Sequence, residues 1–378
     1  MELFLTHAIE YALDKDFSSD NNEDFDSLNQ QVSFLGAKTS LNMFCILVSD
    51  PIAGEKDIPL EFYSALPMFG NLYPDIFQRI KIISPEKRTN LFLHHFFNLS
   101  KFESCSSMLY MGMFSSIAEA QQYADLNLWT AKEPIEHSFL LLKGRFLILF
   151  TMQMDGTPLM TVITHKGYLV SFYNSLLKKG AEKSSFTRGE AVAALQDDAA
   201  YMDMLFNKGL AAVYNFISIG HLVKKEDLDK IGGNETIKAW MLKIFQSILT
   251  KGTSFCVTID AMMSFAATGK AIVPLVGTVD IPPEERISYL SRYDAYLDNP
   301  EKVIVLNCEM PKVAVFHFPG LSVIYLIDNE YSSEKFHLFK TDKIHNILAS
   351  EIANGNLKTL PFSYDLWAAY IMGLSDRR

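Results

Sequence analysis

Four residues of types that act together in catalysis stand out in this sequence: Cys105, His137, Gln153 and Asp155. A cysteine hydrolase needs a thiolate nucleophile, a histidine that takes its proton, and an Asp, Asn or Gln that orients the imidazole. Cys105 stands at the start of a predicted helix, where the thiolate is favoured. His137 opens an apolar strand, and a polar turn follows. In this assignment Cys105 is the nucleophile, His137 the general base, and Asp155 or Gln153 the orienting residue.

The same residues also have structural interpretations. A single cysteine in a folded chain is more often packed than reactive. A histidine at the start of a strand often pairs with a neighbouring carboxylate, here Glu136, or with the backbone. Cys45 and Cys256 stand in apolar runs, where we expect buried, inert thiols. Catalysis by Cys105 and His137 is therefore one of two hypotheses.

Other reaction classes lack their sequence signatures. The four cysteines include no Cys-x-x-Cys pair, and neither a glycine-rich dinucleotide fingerprint nor a His-Glu-x-x-His motif occurs. His94 and His95 fall in a helix predicted from Ser84 to about Leu99, where they would point about 100° apart and could not share a metal. We expect no bound metal and no cofactor.

Composition bounds the class of protein. The chain has 378 residues, 49% of them hydrophobic and 21% charged, as in a folded protein with more than one domain. A net charge of −10 argues against binding to nucleic acid, and no uncharged apolar run is long enough for a membrane span. No secretory signal opens the sequence. We expect a protein partner, and either a cytoplasmic location or export by a leaderless route.

A hydrophobic pattern occurs twice, from Gly144 to Lys179 and from Gly320 to Gly355, at a constant offset of 176 residues (320 − 144). Each copy has an apolar run, a polar turn, a second short strand and apolar residues at helical spacing. The pattern predicts a β-hairpin followed by a packing helix. The fold class we predict is α/β or α+β with two domains, each containing one such unit and its own core, and a helix-rich middle.

Individual segments refine this outline. The small, polar stretch Gly180–Ser185 is the predicted boundary, which gives domains at residues 1–180 and 186–378. The apolar run Asn42–Val48 predicts a strand. Asn234 is predicted to cap an amphipathic helix with apolar residues at three- and four-residue steps.

The segments 137–180 and 313–355 resemble the strand–hairpin–helix of the YopT-like, papain-like cysteine proteases found among bacterial effectors. In that family a histidine opens the strand and an Asp, often in Asp-Pro-Asn, ends it about 15 residues later. The first copy has His137 but Met152 at the position of the Asp, and the second has Asp328-Asn329 but Val313 at the position of the histidine. The resemblance implies a papain-like scaffold with an incomplete catalytic set in each copy.

These observations favour a non-catalytic protein-binding module on a degenerate hydrolase-like scaffold, that is, a pseudoenzyme of the kind found among bacterial effectors or secretion-associated proteins. The alternative is a cysteine hydrolase that cleaves a peptide or isopeptide bond with Cys105, His137 and Asp155 or Gln153.

Overall fold

The structure is a computed structural model that describes residues 30–66, 90–97, 107–131, 133, 135, 137–179, 182–218, 220–250, 253–292, 303–327 and 334–360. Over these residues the chain forms an α/β fold on two large mixed sheets, which confirms the predicted fold class. We call the described residues up to Lys183 the first half and those from Ser185 onward the second half. Cys105 and Asp328-Asn329 lie outside the described residues.

The first half contains an eight-stranded sheet. Its strands in chain order are β1 (Gln31–Leu35), β2 (Leu60–Ser64), β3 (Leu91–Phe97), β4 (Asp125–Thr130), β5 (Ser138–Leu142), β6 (Phe146–Met152), β7 (Pro158–Ile163) and β8 (Glu182–Lys183). Their order across the sheet is β1-β7-β6-β5-β2-β3-β4-β8. β2, β3 and β4 are parallel neighbours, whereas every other pairing is antiparallel.

The second half contains another eight-stranded sheet and a separate hairpin. Its strands are β9 (Ser185–Thr187), β10 (Ala212–Asn215), β11 (Ser254–Thr258), β12 (Lys270–Val273), β13 (Gly277–Asp280), β14 (Val303–Leu306), β15 (Val313–Phe318), β16 (Leu321–Ile327), β17 (Glu334–Phe339) and β18 (Thr359–Leu360). The sheet order is β18-β14-β11-β10-β15-β16-β17-β9, and β12 pairs only with β13. β10, β11 and β14 are parallel neighbours, and the other pairings are antiparallel.

The helices connect these strands and make the middle of the chain helix-rich, as predicted. They are α1 (Ala37–Gly54), α2 (Ser107–Tyr123), α3 (Lys166–Lys178), α4 (Arg188–Asp197), α5 (Ala199–Lys208), α6 (Lys225–Leu228), α7 (Glu235–Thr250), α8 (Ile259–Thr268), α9 (Arg286–Leu290) and α10 (Lys343–Ala353), with a 3-10 turn at Pro283–Glu285. Asn234 caps α7 through a 3.1 Å hydrogen bond from Ile237 N, which confirms that prediction. Among the helices of the described residues, none combines the length and apolarity needed to cross a membrane.

The two halves have the same topology. β1 to β8 correspond in order, direction and neighbours to β9, β10, β11, β14, β15, β16, β17 and β18. One face of the first sheet carries α1 and α2, and we call it the α1 face; the other carries α3 and is the α3 face. In the second sheet the α4 face carries α5, α7 and α8, and the α10 face carries α10. Parallel connections of one handedness place corresponding helices on corresponding faces.

The two predicted hairpin–helix units occupy the same place in their sheets, as β6–β7–α3 and β16–β17–α10. Gly144 and Gly320 lie in the preceding turns with φ of 76° and 78°, a left-handed conformation that glycine adopts at little cost. The repeated pattern in the sequence therefore reflects a structural repeat of about half the chain rather than of the hairpin alone.

Both sheets hold the short segment that joins them. Ser184 N donates to Leu128 O in β4, and Leu338 N in β17 donates to Ser184 O, both at 2.8 Å. β8 ends immediately before Ser184 and β9 begins immediately after it. The predicted division between residues 180 and 186 falls on this segment, and the change from one sheet to the other occurs at Ser184.

One hydrophobic cluster includes both halves, so the expectation of separate cores is wrong. It contains Ile148 and Met160 from the α1 face of the first sheet together with Ile324 and Phe339 from the α10 face of the second. Helices α2 and α10, which contact each other, also contribute to it. Only the opposite faces, the α3 face and the α4 face, have clusters of their own.

Two secondary-structure predictions are also wrong. Asn42–Val48 lies inside α1, because Phe44, Val48 and Ile52 recur at four-residue steps and bury one helical stripe. His94 and His95 lie in β3, a central strand, rather than in a helix. Alternate residues of a strand point to opposite faces, so these two histidines still cannot share a metal.

Candidate functional site

The structure places three of the four predicted catalytic residues at one end of the first sheet. His137 is exposed immediately before β5, and Gln153 and Asp155 are exposed in the turn between β6 and β7. The start of β5 and the end of β6 lie side by side, because Ser138 pairs with Phe150.

Asp155 has a local structural role in that turn. Its Oδ1 accepts a 2.9 Å hydrogen bond from Thr157 N, and this bond lowers the pKa of the Asp155 carboxyl. No hydrogen bond or ion pair within the described part of the chain joins Asp155 to His137. Since Cys105 lies outside that part, the catalytic assignment stays a prediction.

The described cysteines are poor nucleophiles. Cys45 and Cys256 are buried, as predicted, and Cys308 is partly buried. Burial raises the pKa of the Cys256 thiol far above its usual range and also raises that of Cys308. A thiol that stays protonated at neutral pH does not attack a carbonyl, so hydrolysis would have to rely on Cys105.

A serine, a histidine and a carboxylate meet in the second half near the turn between β15 and β16. His317 Nδ1 lies 3.1 Å from Ser322 Oγ, and His317 Nε2 lies 3.4 Å from Asp342 Oδ1. Ser322 donates its single proton to Thr341 O, so it accepts from His317 instead of being activated by it. Burial, together with His345, lowers the pKa of His317 to about 4. Because Ser322 and His317 are also buried, we interpret this set as structural.

A cleft of about 930 Å³ lies between the two halves. Helix α2 forms one wall, and α8 with the connection from β14 to β15 forms the other. Three carboxylates line it, those of Glu119, Asp260 and Glu309, against the single ammonium group of Lys312. The remaining lining is mixed and includes Ser115, Ala118, Gln122, Tyr123, Phe216, Ile217, Met263, Ser264, Ala267, Met310, Pro311 and Ile327.

A second cavity, of about 410 Å³, lies within the second half between the α4 face of the sheet and the helices that cover it. The sheet contributes β9, β15, β16 and β17, and the cover consists of α4, α5, α7 and the turn between β12 and β13. Its lining is almost entirely apolar: Phe186, Ala191, Ala194, Leu195, Asp198, Tyr201, Met202, Leu205, Ile237, Trp240, Met241, Ile244, Pro274, Leu275, Phe316, Phe318, Val323, Phe336 and Leu338.

The size of this cavity is energetically significant. Empty apolar space costs roughly 24 cal/mol per Å³, so a dry void of this volume would cost about 10 kcal/mol. The cavity is partly open to solvent, so the actual cost is smaller. A molecule that fills the space would cover the apolar lining and recover part of this free energy.

The turn that closes the cavity has a strained backbone. Leu275 has a φ of 66°, in the left-handed region that residues other than glycine rarely adopt. Arg188, the first residue of α4, holds the turn: its Nε donates to Leu275 O at 3.1 Å, and its guanidinium also bonds to Val276 O. Strain of this kind is maintained by surrounding contacts and is concentrated at binding and functional sites.

Sequence reasoning missed both the cleft and the cavity. The aromatic alternation of Phe316 and Phe318 in β15 signals an apolar face, but not that helices cover it incompletely. The residues of the cleft are scattered over both halves, so no local sequence pattern predicts the cleft. Within the described residues, no group of three His, Cys, Asp or Glu side chains is placed to hold a metal ion.

Comparison with known proteins defines no family for this chain. No protein-family model matches the sequence, and no curated protein matches it. One similar solved structure is TrmBL2, an archaeal chromatin protein described with a novel mode of DNA binding, at 13% identity over 48% of this chain and 64% of that chain, with a TM-score of 0.26.

A second similar structure is the polyphosphate kinase of Porphyromonas gingivalis, at 10% identity over 92% of this chain and 56% of that chain, with a TM-score of 0.28. The chain therefore spans less than two thirds of the length of either protein. At these scores neither similarity supports a functional conclusion.

Proposed function

We propose that this chain is a non-catalytic binding protein, and that the cleft between its halves takes an extended, basic segment of a protein partner. The supporting observation is that both halves line the cleft and that the described lining residues contribute three carboxylates and one ammonium group. This excess of negative charge would attract Lys and Arg side chains and repel acidic ones.

The apolar part of the lining suits a peptide as well. Met263 and Met310 lie partly exposed in the cleft beside Phe216 and Ile217. Methionine side chains adapt to apolar groups of different shapes and are common on binding surfaces. We therefore expect the preferred segment to alternate basic and apolar residues.

Fluorescently labelled nonapeptides test the proposal directly, one alternating Lys and Leu and the other alternating Glu and Leu. We expect the Lys peptide to bind at low salt and to weaken as salt screens the charges, and the Glu peptide to bind at least tenfold more weakly. Equal binding of the two peptides would contradict the proposal.

Matched charge reversals locate the site. The double variant Asp260→Lys/Glu309→Lys changes two exposed carboxylates of the cleft, whereas Asp203→Lys/Glu226→Lys makes the same change in charge at exposed positions elsewhere. We expect only the first to abolish binding of the Lys peptide. Loss in both variants, or in neither, would mean that the net charge of the protein rather than the cleft attracts the peptide.

Thiol labelling separates this proposal from the cysteine-hydrolase alternative. If Cys105 were paired with His137, an iodoacetamide reagent would alkylate it rapidly near pH 6, and His137→Ala would abolish that reactivity. Under the binding proposal no cysteine reacts rapidly at that pH, and Cys105→Ser leaves peptide affinity unchanged.

A further inference from the structure

We infer that the apolar cavity of the second half binds a neutral, hydrocarbon-rich small molecule with a hydroxyl-type polar end, in the size range of a long-chain alcohol. This inference is independent of the cleft, because none of its residues lines the cleft.

Volume and lining together select the ligand class. The cavity, at about 410 Å³, is well above the roughly 150 Å³ that suffices for benzene, and it lies within the range of small-molecule sites. A buried water needs two to four polar partners. Of the described residues that line the cavity, only Asp198, Tyr201 and Trp240 have a side-chain nitrogen or oxygen, so ordered water finds few partners in most of this space.

Charge determines the polar end of the ligand. Asp198 is the one charged residue in the described lining, and its Oδ1 already accepts a hydrogen bond from Tyr201 N at 3.2 Å at the start of α5. Asp198 is exposed at the edge of the cavity, and the carboxylate of a fatty acid would lie near its negative charge. The described lining has no cation to pair with that carboxylate, and Lys340, whose charge acts on Tyr201, lies outside the lining. A hydroxyl group avoids that repulsion and can hydrogen-bond to the Tyr201 hydroxyl or the Trp240 indole N–H.

The closing turn supports a binding role rather than a packing defect. Leu275 lines the cavity from a left-handed backbone conformation. Arg188 donates hydrogen bonds to the carbonyl oxygens of Leu275 and Val276. Arg188 belongs to α4, which itself lines the cavity, and its Nη1 lies 3.7 Å from Glu334 Oε1 in β17. The turn is thus tied to both the helix and the sheet that form the walls.

Heavy-atom quenching of Trp240 tests the inference, because bromine quenches indole fluorescence on contact and Trp240 lines the cavity. The probes are 11-bromo-1-undecanol and 11-bromoundecanoate, both below their aggregation concentrations at pH 8. We expect saturable quenching by the alcohol and at least tenfold weaker binding of the carboxylate. Trp240→Phe should remove the saturable component. Absence of saturable quenching, or equal affinity for both probes, would overturn the inference.

Paired variants on one helix give the control. Ala191 lines the cavity, whereas Ala193 is exposed and does not. Ala191→Phe should weaken binding of the alcohol at least tenfold, and Ala193→Phe should leave it unchanged. Val323→Phe fills the cavity from the sheet side and serves as a second filler if Ala191→Phe does not fold. Unchanged affinity in a folded filler variant would place the probe elsewhere and overturn the inference.

Discussion

Corresponding faces of the two halves have different surroundings. The α1 face of the first sheet belongs to the cluster that joins the halves, where Ile148 and Met160 are fully buried. Its counterpart in the second half, the α4 face, forms part of the wall of the apolar cavity. Strand pairing gives the corresponding positions: Ile148 pairs with the preceding strand as Val323 does, and Met160 corresponds to Phe336. The turn before β16 is one residue shorter than the turn before β6, so Ile148 matches Val323 rather than the residue 176 positions later. A repeated topology therefore does not determine how completely a face is filled. The helices and strands that pack on a face determine how completely it is filled.

The α3 face and the α10 face also differ, but here the face of the second half is the more deeply buried one. On the α3 face, β7 presents the partly exposed Thr161, whereas the corresponding residue of β17 on the α10 face is the fully buried His337. Beside it, Lys335 reaches Asp125 of the first half. His337 and Lys335 are thus buried polar groups of the second half on the face that meets the first half.

Acid should have the largest effect, and His337 is one of three buried histidines in the described residues, with His95 and His221, whose pKa burial lowers to about 3. Burial lowers the pKa of His337 to about 3, and Lys335 adds to the shift. The unfolded chain would protonate His337 near pH 6.5, so the contribution of His337 to stability is complete above that pH and is lost as the pH falls toward 3. The loss is at most about 1.4 kcal/mol per pH unit and roughly 5 kcal/mol in total. Urea unfolding at pH 7, 5 and 4 should show a smaller loss of stability for His337→Gln than for the wild type. Equal losses would contradict the pKa shift.

Truncation at corresponding positions should separate the two faces. Ile148→Ala empties a fully buried site in the shared cluster and should lower the free energy of unfolding by about 3.5 kcal/mol. Val323→Ala, at the corresponding position in β16, only enlarges an existing cavity and should cost about 1 kcal/mol or less. Urea unfolding measures both, and similar losses would mean that the cavity is filled or collapsed in solution.

One ion pair between the halves has a buried lysine. Lys335 Nζ lies 2.6 Å from Asp125 Oδ1, and the lysine side chain is only 4% exposed. Asp125→Ala would leave a buried ammonium without its carboxylate and should cost about 3 kcal/mol. The control is Glu182→Ala, which removes an ion pair to Lys340 with exposed partners and should cost less than about 1 kcal/mol. A loss no larger than that of the control would argue against a strong coupling of the halves here.

The smallest expected effect concerns the cap of α4 at the cavity. Thr187 Oγ1 accepts from Glu190 N at 3.2 Å, and Glu190 Oε2 accepts from Thr187 N at 2.8 Å. Thr187→Ala should lower the free energy of unfolding, measured in urea, by about 1 kcal/mol. Thr187→Ser should cause a smaller loss, because the serine hydroxyl preserves the cap hydrogen bond. Equal losses from the two substitutions would point to the lost methyl group rather than to the cap.

The hairpin–helix units were predictable from sequence because their apolar spacing is dictated by burial on one face, and Gly144 and Gly320 mark the turns that precede them. The error at Asn42–Val48 arose because a short apolar run does not distinguish a strand from a buried helix turn. The longer stripe through Ile52 does. The cavity and the cleft could not be predicted, since each depends on elements far apart in sequence and on how completely they pack.

The short connection through Ser184 has a mechanical consequence. A flexible linker would let the two halves rotate independently. Ser184 is instead hydrogen-bonded to a strand of each sheet, so a force applied to one sheet is transmitted directly to the other. A force that separates the halves would have to break these backbone hydrogen bonds before the connecting segment could extend. Tension along the chain should therefore be resisted at the joint itself.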